Sequence, residues 1–261
     1  MSRKLNPIDL RERLYRRRYI LPNLVTLASM FCGFLAIIYA ATARHEKAVL
    51  AIGLAILFDG LDGRVARRFN ATSKFGGEFD SFADFVSFGV APAMVVYHWG
   101  FRALADEWGV FVSFMFALGA ATRLARFNLS AENLKTFQGL PTPAAAGLVA
   151  ATVHYAPDLK MDMIFLTVAS VLMLLLAFLM VSKVEFVSIK KIQIQHLPLP
   201  VFVAMGALIA LIWYNHQLGL LCLAAGYVAS GPCIWVMRRK GRSVTAIPPN
   251  EGARTVDSST H

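Results

Sequence analysis

The chain alternates long apolar runs with short basic loops, and two neighbouring apolar runs carry four aspartates between them. The runs fall at about 21–43, 47–66, 79–98, 108–127, 140–156, 162–182, 198–214 and 217–237. A spanning helix takes roughly 17–25 residues and a spanning strand only about 9–11. Inside a bilayer each backbone N–H and C=O must find its partner within the protein, so runs of this length fold as helices. The expectation is an all-α, polytopic transmembrane helix bundle of about eight spans. Only 16% of the 261 residues are charged and 57% are hydrophobic, against about 25% charged in a soluble domain. A soluble globular class is excluded.

Lysine and arginine counts orient the bundle. With the N-terminus inside, the inner segments hold 22 of the 26 basic residues and the outer loops hold 4. Both termini are therefore expected in the cytoplasm. The formal charge of +10 reads as this topology signal and not as a nucleic-acid footprint, because the basic residues are spread over five separate segments. Cys32, Cys222 and Cys233 lie within spans and form no C-x-x-C, which argues against a disulfide framework or a zinc site. The histidines sit at span ends, in loops or in the tail, and neither a P-loop nor a G-x-S-x-G motif occurs.

Three segments are expected. Residues 1–18 form a basic juxtamembrane segment, 19–240 the transmembrane domain and 241–261 a polar, disordered cytoplasmic tail. Arginines alternate with Leu5, Ile8, Leu10 and Leu14 in the first segment. That pattern suits a helix on an anionic membrane surface, with an unstructured basic leader as the alternative. The beginning of the chain looks like a signal peptide, but its apolar run is too long for one and is read as a retained first helix.

The aspartates are Asp59, Asp62, Asp80 and Asp84. An intramembrane carboxylate costs about 2.5–3.5 kcal/mol on insertion scales, so four close together require a positive partner. On a helix at about 100° per residue, Asp59 and Asp62 share one stripe with the small residues Gly63 and Ala66. Asp80 and Asp84 lie one turn apart on the next helix, with Ser87 on the same side. Turned toward each other, the two stripes put four carboxylates around one cavity. Oxygen-only donors select hard cations such as Mg²⁺, Mn²⁺ or Ca²⁺. Four of them suit two divalent ions about 4 Å apart, an arrangement used for displacement at phosphorus. Arg64, Arg67, Arg68 and Lys74 follow near the cytoplasmic end and suit phosphates. Helix–helix hydrogen bonds or a proton relay are the competing reading of a single membrane aspartate, and paired spacings with glycines between them fit it poorly.

The run D-x₂-D-G-x₂-A-R-x₈-G-x₃-D-x₃-D, met here at Asp59, Asp62, Gly63, Ala66, Arg67, Gly76, Asp80 and Asp84, resembles the signature of the CDP-alcohol phosphatidyltransferase family. The resemblance implies a membrane-embedded, usually dimeric six-helix core, which this chain exceeds by two spans, and a divalent metal. It implies that Asp59, Asp62 and Asp80 hold metal, that Asp84 also lies at the metals as candidate base, and that Gly63 and Arg67 line the CDP site. Ala66 and Gly76 belong to the same expected CDP site. The wider sequence resembles the bacterial, serine-accepting branch of the family. Pro22-Asn23-Leu-Val-Thr26, Glu78 through Pro92, Arg123-Leu-Ala-Arg126-Phe127-Asn128 and Phe137-Gln-Gly139-Leu-Pro141-Thr-Pro143 carry that likeness.

The expected substrates are CDP-diacylglycerol and L-serine, and the expected cofactor is Mg²⁺ or Mn²⁺, two ions. The expected setting is a homodimer among membrane lipids in the bacterial cytoplasmic membrane, with its active site toward the cytoplasm and no nucleic acid partner. Asn23 and Thr26 are candidates to donate to the nucleotide. Arg123, Arg126 and Asn128 are candidates for the serine carboxylate or a lipid phosphate. Two alternatives stand beside this reading: the same chemistry with glycerol 3-phosphate, inositol phosphate or choline, and an ion-coupled transporter, since intramembrane acids also mark ion pathways.

Overall fold

The computed structural model describes residues 7–69, 74–103, 107–130, 139–157, 163–184, 186 and 210–243. Among these the regular structure is helical, as the apolar runs require. Eight α-helices follow in order: α1 Pro7–Ala41, α2 His45–Phe69, α3 Lys74–Asp84, α4 Ala91–Trp99, α5 Trp108–Ser130, α6 Thr142–Tyr155, α7 Met163–Val181 and α8 His216–Ser243. A π-helical segment, Phe85–Val90, joins α3 to α4, and a 3₁₀ turn, Phe101–Ala103, follows α4.

Among the described residues, four stretches are long and apolar enough to cross a membrane: Asn23–Ala41, Phe75–Trp99, Trp108–Leu129 and Met163–Val181. Helix α2 has the length for a span, but its charged C-terminal half lowers its hydropathy. Helix α6 has 14 residues, a rise of about 21 Å. Of the expected run 198–214, only the helical turn at 210–214 lies among the described residues, and the tail from residue 244 lies outside them. Helix α1 is helical from Pro7 onward and continues into its apolar part without a break. Its 35 residues rise about 52 Å, more than the roughly 30 Å thickness of an apolar layer.

Helices α1 and α2 bury mostly small residues and turn large apolar ones outward, as a lipid-facing protein does. On α1, Thr26, Ser29, Cys32, Ala36 and Ala40 are buried, while Leu27, Phe31, Phe34 and Ile38 are exposed. On α2, Ala48, Ala51, Ile52 and Ala55 are buried at helical spacing, with Leu50, Leu54, Leu57 and Leu61 on the other side. Helix α1 packs along α2 and also against α3, the π segment and α4; α6 lies against α2 and α8, and α5 against α7.

Backbones approach closely at these small-residue seams. A Cβ on Gly33 of α1 would sit 2.6 Å from the Ser87 Cα in the π segment. Serines fasten the same crossing: Ser87 Oγ donates to the Ser29 carbonyl at 3.1 Å, and Ser29 Oγ donates to the Ala55 carbonyl at 3.0 Å. Together they tie α1, α2 and the π segment beside the aspartates. Ser87, expected on the aspartate stripe, is thus turned to α1 just where the wider π turn departs from α-helical spacing.

A second fastening point joins α5, α6 and α7. Gly139 takes φ +85°, a left-handed conformation open to glycine. It lets the chain turn tightly against the Met180 carbonyl before α6 begins. Gly139 N–H donates to the Val184 carbonyl at 2.9 Å and Leu140 N–H to the Leu179 carbonyl at 3.1 Å. Pro141 and Pro143 flank Thr142, the first residue of α6, where a missing N–H costs no helical bond.

Candidate active site

Asp59 and Asp62 lie in the C-terminal half of α2, and Asp80 and Asp84 lie in α3, the next helix. One ligand oxygen from each of Asp59, Asp62 and Asp80 can be chosen so that all lie within 4.8 Å of one another. Asp84 ends α3 immediately before the π segment. Its carboxyl group is within hydrogen-bonding reach of Asp59, and Asp80 is within reach of Asp62. Asp59, Asp62 and Asp80 therefore converge, with Asp84 beside Asp59.

Helix α1 forms the wall behind them. Thr26 Oγ1 donates to Asp62 Oδ2 at 2.9 Å, with both residues buried. The hydroxyl expected at the nucleotide is thus turned to a carboxylate. Two carboxylates about 4 Å apart repel by on the order of 4 kcal/mol at an effective dielectric near 20. A three-oxygen hard donor set at that spacing fits a divalent cation, which would relieve this repulsion.

Of the expected CDP residues, Gly63, Ala66, Arg67 and Gly76 adjoin the aspartates in sequence. Asn23 is half-buried on α1, one turn before Thr26. Gly76 lies in the first turn of α3, one turn before Asp80. Gly63, Ala66 and Arg67 continue the helix of α2 beyond Asp62, and their side chains lie outside the described residues.

The three candidates on α5 separate. Arg126 donates from Nη1 to the Val181 carbonyl at 2.8 Å and from Nη2 to the Ser182 carbonyl at 3.2 Å. It therefore caps the C-terminus of α7 beside Gly139. Asn128 accepts from Ser81 Oγ at 3.1 Å and donates from Nδ2 to Glu78 Oε2 at 3.4 Å, bracing α5 against α3. Arg123 donates from Nη1 to Thr142 Oγ1 at 3.3 Å. Its Nε is buried with no partner among the described residues. Asp84 and, from α8, Tyr227 both lie close enough to act on it electrostatically.

Sequence reasoning missed Thr142, Tyr227 and the capping role of Arg126. The Gly-Leu-Pro-Thr-Pro run marked the start of α6 without marking a side-chain partner for Arg123. Nothing in the sequence around Tyr227 distinguished it from other membrane aromatics.

A family model described as CDP-alcohol phosphatidyltransferase matches residues 19–175. Similar curated proteins carry the name CDP-diacylglycerol–serine O-phosphatidyltransferase. The one from Helicobacter pylori strain 26695 is 39% identical over 183 residues, covering 67% of this chain and 75% of its own. The Bacillus subtilis protein is 36% identical over 172 residues, covering 66% of this chain and 92% of its own. The Methanocaldococcus jannaschii protein is 32% identical over 211 residues, covering 80% and 91%.

Proposed function

The chain belongs to the CDP-alcohol phosphatidyltransferase family, and from that premise we propose that it transfers the phosphatidyl group of CDP-diacylglycerol to the hydroxyl of L-serine, giving phosphatidylserine and CMP. The observation that carries this reading is the convergence of Asp59, Asp62 and Asp80 carboxylates within 4.8 Å, at the family's signature positions. The names of the relatives support serine as the acceptor.

In this reading Asp59, Asp62 and Asp80 hold divalent metal, Mg²⁺ or Mn²⁺ and two ions, with Asp84 as a further ligand. Bound metal supplies charge neutralisation for the diphosphate and for the departing CMP. The residues do the rest. Thr26 fixes the orientation of Asp62 through its hydrogen bond. Asn23, Gly63, Ala66, Arg67 and Gly76 line the CDP site, with Arg67 available to the phosphates. Asp84 takes the proton of the acceptor hydroxyl. The serine oxygen then forms its bond to the phosphorus bearing diacylglycerol, and the bond from that phosphorus to CMP breaks. Of the three residues first assigned to the acceptor or a lipid phosphate, Arg126 and Asn128 serve helix contacts, which leaves Arg123 for substrate.

The same proposal includes the topology: eight spans, both termini in the cytoplasm, and a site opening to the cytoplasmic side of a bacterial inner membrane, in a homodimer. The 22-to-4 distribution of basic residues supports it.

The test is the acceptor profile of the purified protein with CDP-diacylglycerol and a divalent ion. Labelled serine should enter phosphatidylserine with stoichiometric CMP release. Label from glycerol 3-phosphate, inositol phosphate or choline alone would replace serine as acceptor. Cation flux into liposomes without CMP release from any alcohol would favour the transporter reading.

A further inference from the structure

Two histidines meet where helices α6 and α8 adjoin, away from the aspartates. Helix α6 begins at Thr142, which accepts a hydrogen bond from Arg123. His154 lies twelve residues further along it, a rise of about 18 Å. Helix α8 packs against α6 and opens at His216. The two imidazole rings come together with centroids 5.2 Å apart and planes tilted by 49°. They lie 62 residues apart in the chain, so no local motif marks them. The missing C-x-x-C speaks against a thiolate site and says nothing of imidazoles that packing brings together.

Both rings are mounted on regular backbone. His154 belongs to the last turn of α6 and follows the buried Val153. Asn215 caps α8 just before His216: its Oδ1 accepts the Leu218 N–H at 3.1 Å, and its carbonyl accepts the Gly219 N–H at 2.9 Å. Gly219 lets this turn close, since a Cβ there would sit 2.6 Å from the Ile212 Cα. The C-terminal carbonyls of α6 favour a cation and the N-terminal N–H groups of α8 oppose one, so the two helix ends roughly offset each other. The rings themselves decide what the pair does.

Ring packing does not account for the arrangement. Aromatic neighbours prefer offset-stacked or edge-to-face geometry, and a tilt of 49° is neither. Neither ring has a hydrogen-bond partner among the described residues, so no protein group occupies a ring nitrogen. An ion shared between the rings accounts for both observations. Zinc takes imidazole nitrogens at about 2.0–2.1 Å in a tetrahedral shell, which sets the centroids of two such rings roughly 5 Å apart. His154 is half-buried and His216 exposed, so an ion can enter from solvent and keep water in its remaining positions. Imidazole donors suit zinc, copper and nickel, whereas the aspartate oxygens suit magnesium and manganese.

We propose that His154 and His216 form a second metal site, for Zn²⁺, which clamps α8 to α6. The family match covers residues 19–175, so the clamp fastens a helix outside that portion to one inside it. Its role is structural, and no step of the phosphatidyl transfer runs through it.

Equilibrium dialysis of the purified full chain, free of any polyhistidine tag, against radiolabelled Zn²⁺ with excess Mg²⁺ tests this. The wild-type chain should bind zinc stoichiometrically. His154→Gln and His216→Gln should each lose that binding, and Asp80→Asn should keep it. Zinc at about 100-fold above its Kd should raise Tm by roughly 5–10 °C in the wild type and in Asp80→Asn, and in neither histidine variant.

Zinc retained at full affinity in either histidine variant would overturn the proposal. Zinc lost in Asp80→Asn would place the ion at the aspartates and overturn it as well, as would a wild-type chain that binds none in the presence of Mg²⁺. His216 is exposed at a helix start, so if His154→Gln does not fold, zinc retained by His216→Gln is enough to refute the site. Every readout is binding or Tm, so the result stands apart from whether serine is the acceptor.

Discussion

Thr26→Val isolates what the first helix does for the aspartate site. Valine keeps the shape of threonine and removes one hydroxyl, so the seam between α1 and α2 stays filled. What is lost is the 2.9 Å bond to Asp62 Oδ2, between residues only 5% and 7% exposed. Hydrogen bonds to charged groups contribute about 1.5–3 kcal/mol, and water cannot easily replace this one at such burial. That range corresponds to roughly 10–150-fold in an equilibrium constant. Removing a hydrogen-bond partner of a metal ligand lowers metal affinity by about 10–100-fold, the same scale.

The expected result is a rise of roughly 10–100-fold in the Mg²⁺ or Mn²⁺ concentration giving half-maximal CMP release. A parallel rise is expected in the ion concentration needed to raise Tm, which reads binding without turnover. Thr26→Ser, which keeps the hydroxyl, should recover most of the loss. A folded Thr26→Val protein with wild-type ion dependence in both assays would refute the claim that Thr26 orients a metal ligand.

Asp59→Asn and Asp80→Asn should each abolish CMP release while the protein still inserts and purifies normally; substantial turnover in either would count against the shared metal site. Arg126→Gln withdraws two donors from the end of α7 and should destabilise the protein by about 2–3 kcal/mol, seen as a lowered Tm; an unchanged Tm would show that the cap carries no stability. Gly33→Ala would put a Cβ 2.6 Å from the Ser87 Cα. It should cost about 1–3 kcal/mol through overpacking and slow CMP release by displacing the π segment that follows Asp84; wild-type Tm and rate would mean that the crossing yields freely.

The path from sequence to site shows which steps are local. Asp59 and Asp62 share a helical stripe because three residues nearly complete a turn, and Asp80 and Asp84 share one for the same reason. Both α2 and α3 then pack on α1, which brings their aspartates to one site. Membrane class followed from run length and the scarcity of charge, and the metal chemistry followed from an all-oxygen donor set. These inferences needed only covalent spacing and solvation.

Contacts between distant segments were different. Thr26 lies 36 residues from Asp62 and Arg126 lies 55 from Val181, and no local pattern relates either pair. Arg123 and Arg126 look equivalent in sequence, three residues apart on one helix. Only packing shows that Arg126 meets the end of α7 while Arg123 meets Thr142 at the start of α6. The helix periods and the cost of bare charge in lipid made an aspartate site between two helices legible from the chain alone. How each arginine and hydroxyl is employed depends on which helix ends meet, and that is decided by backbone approach at small-residue seams such as Gly33 against Ser87.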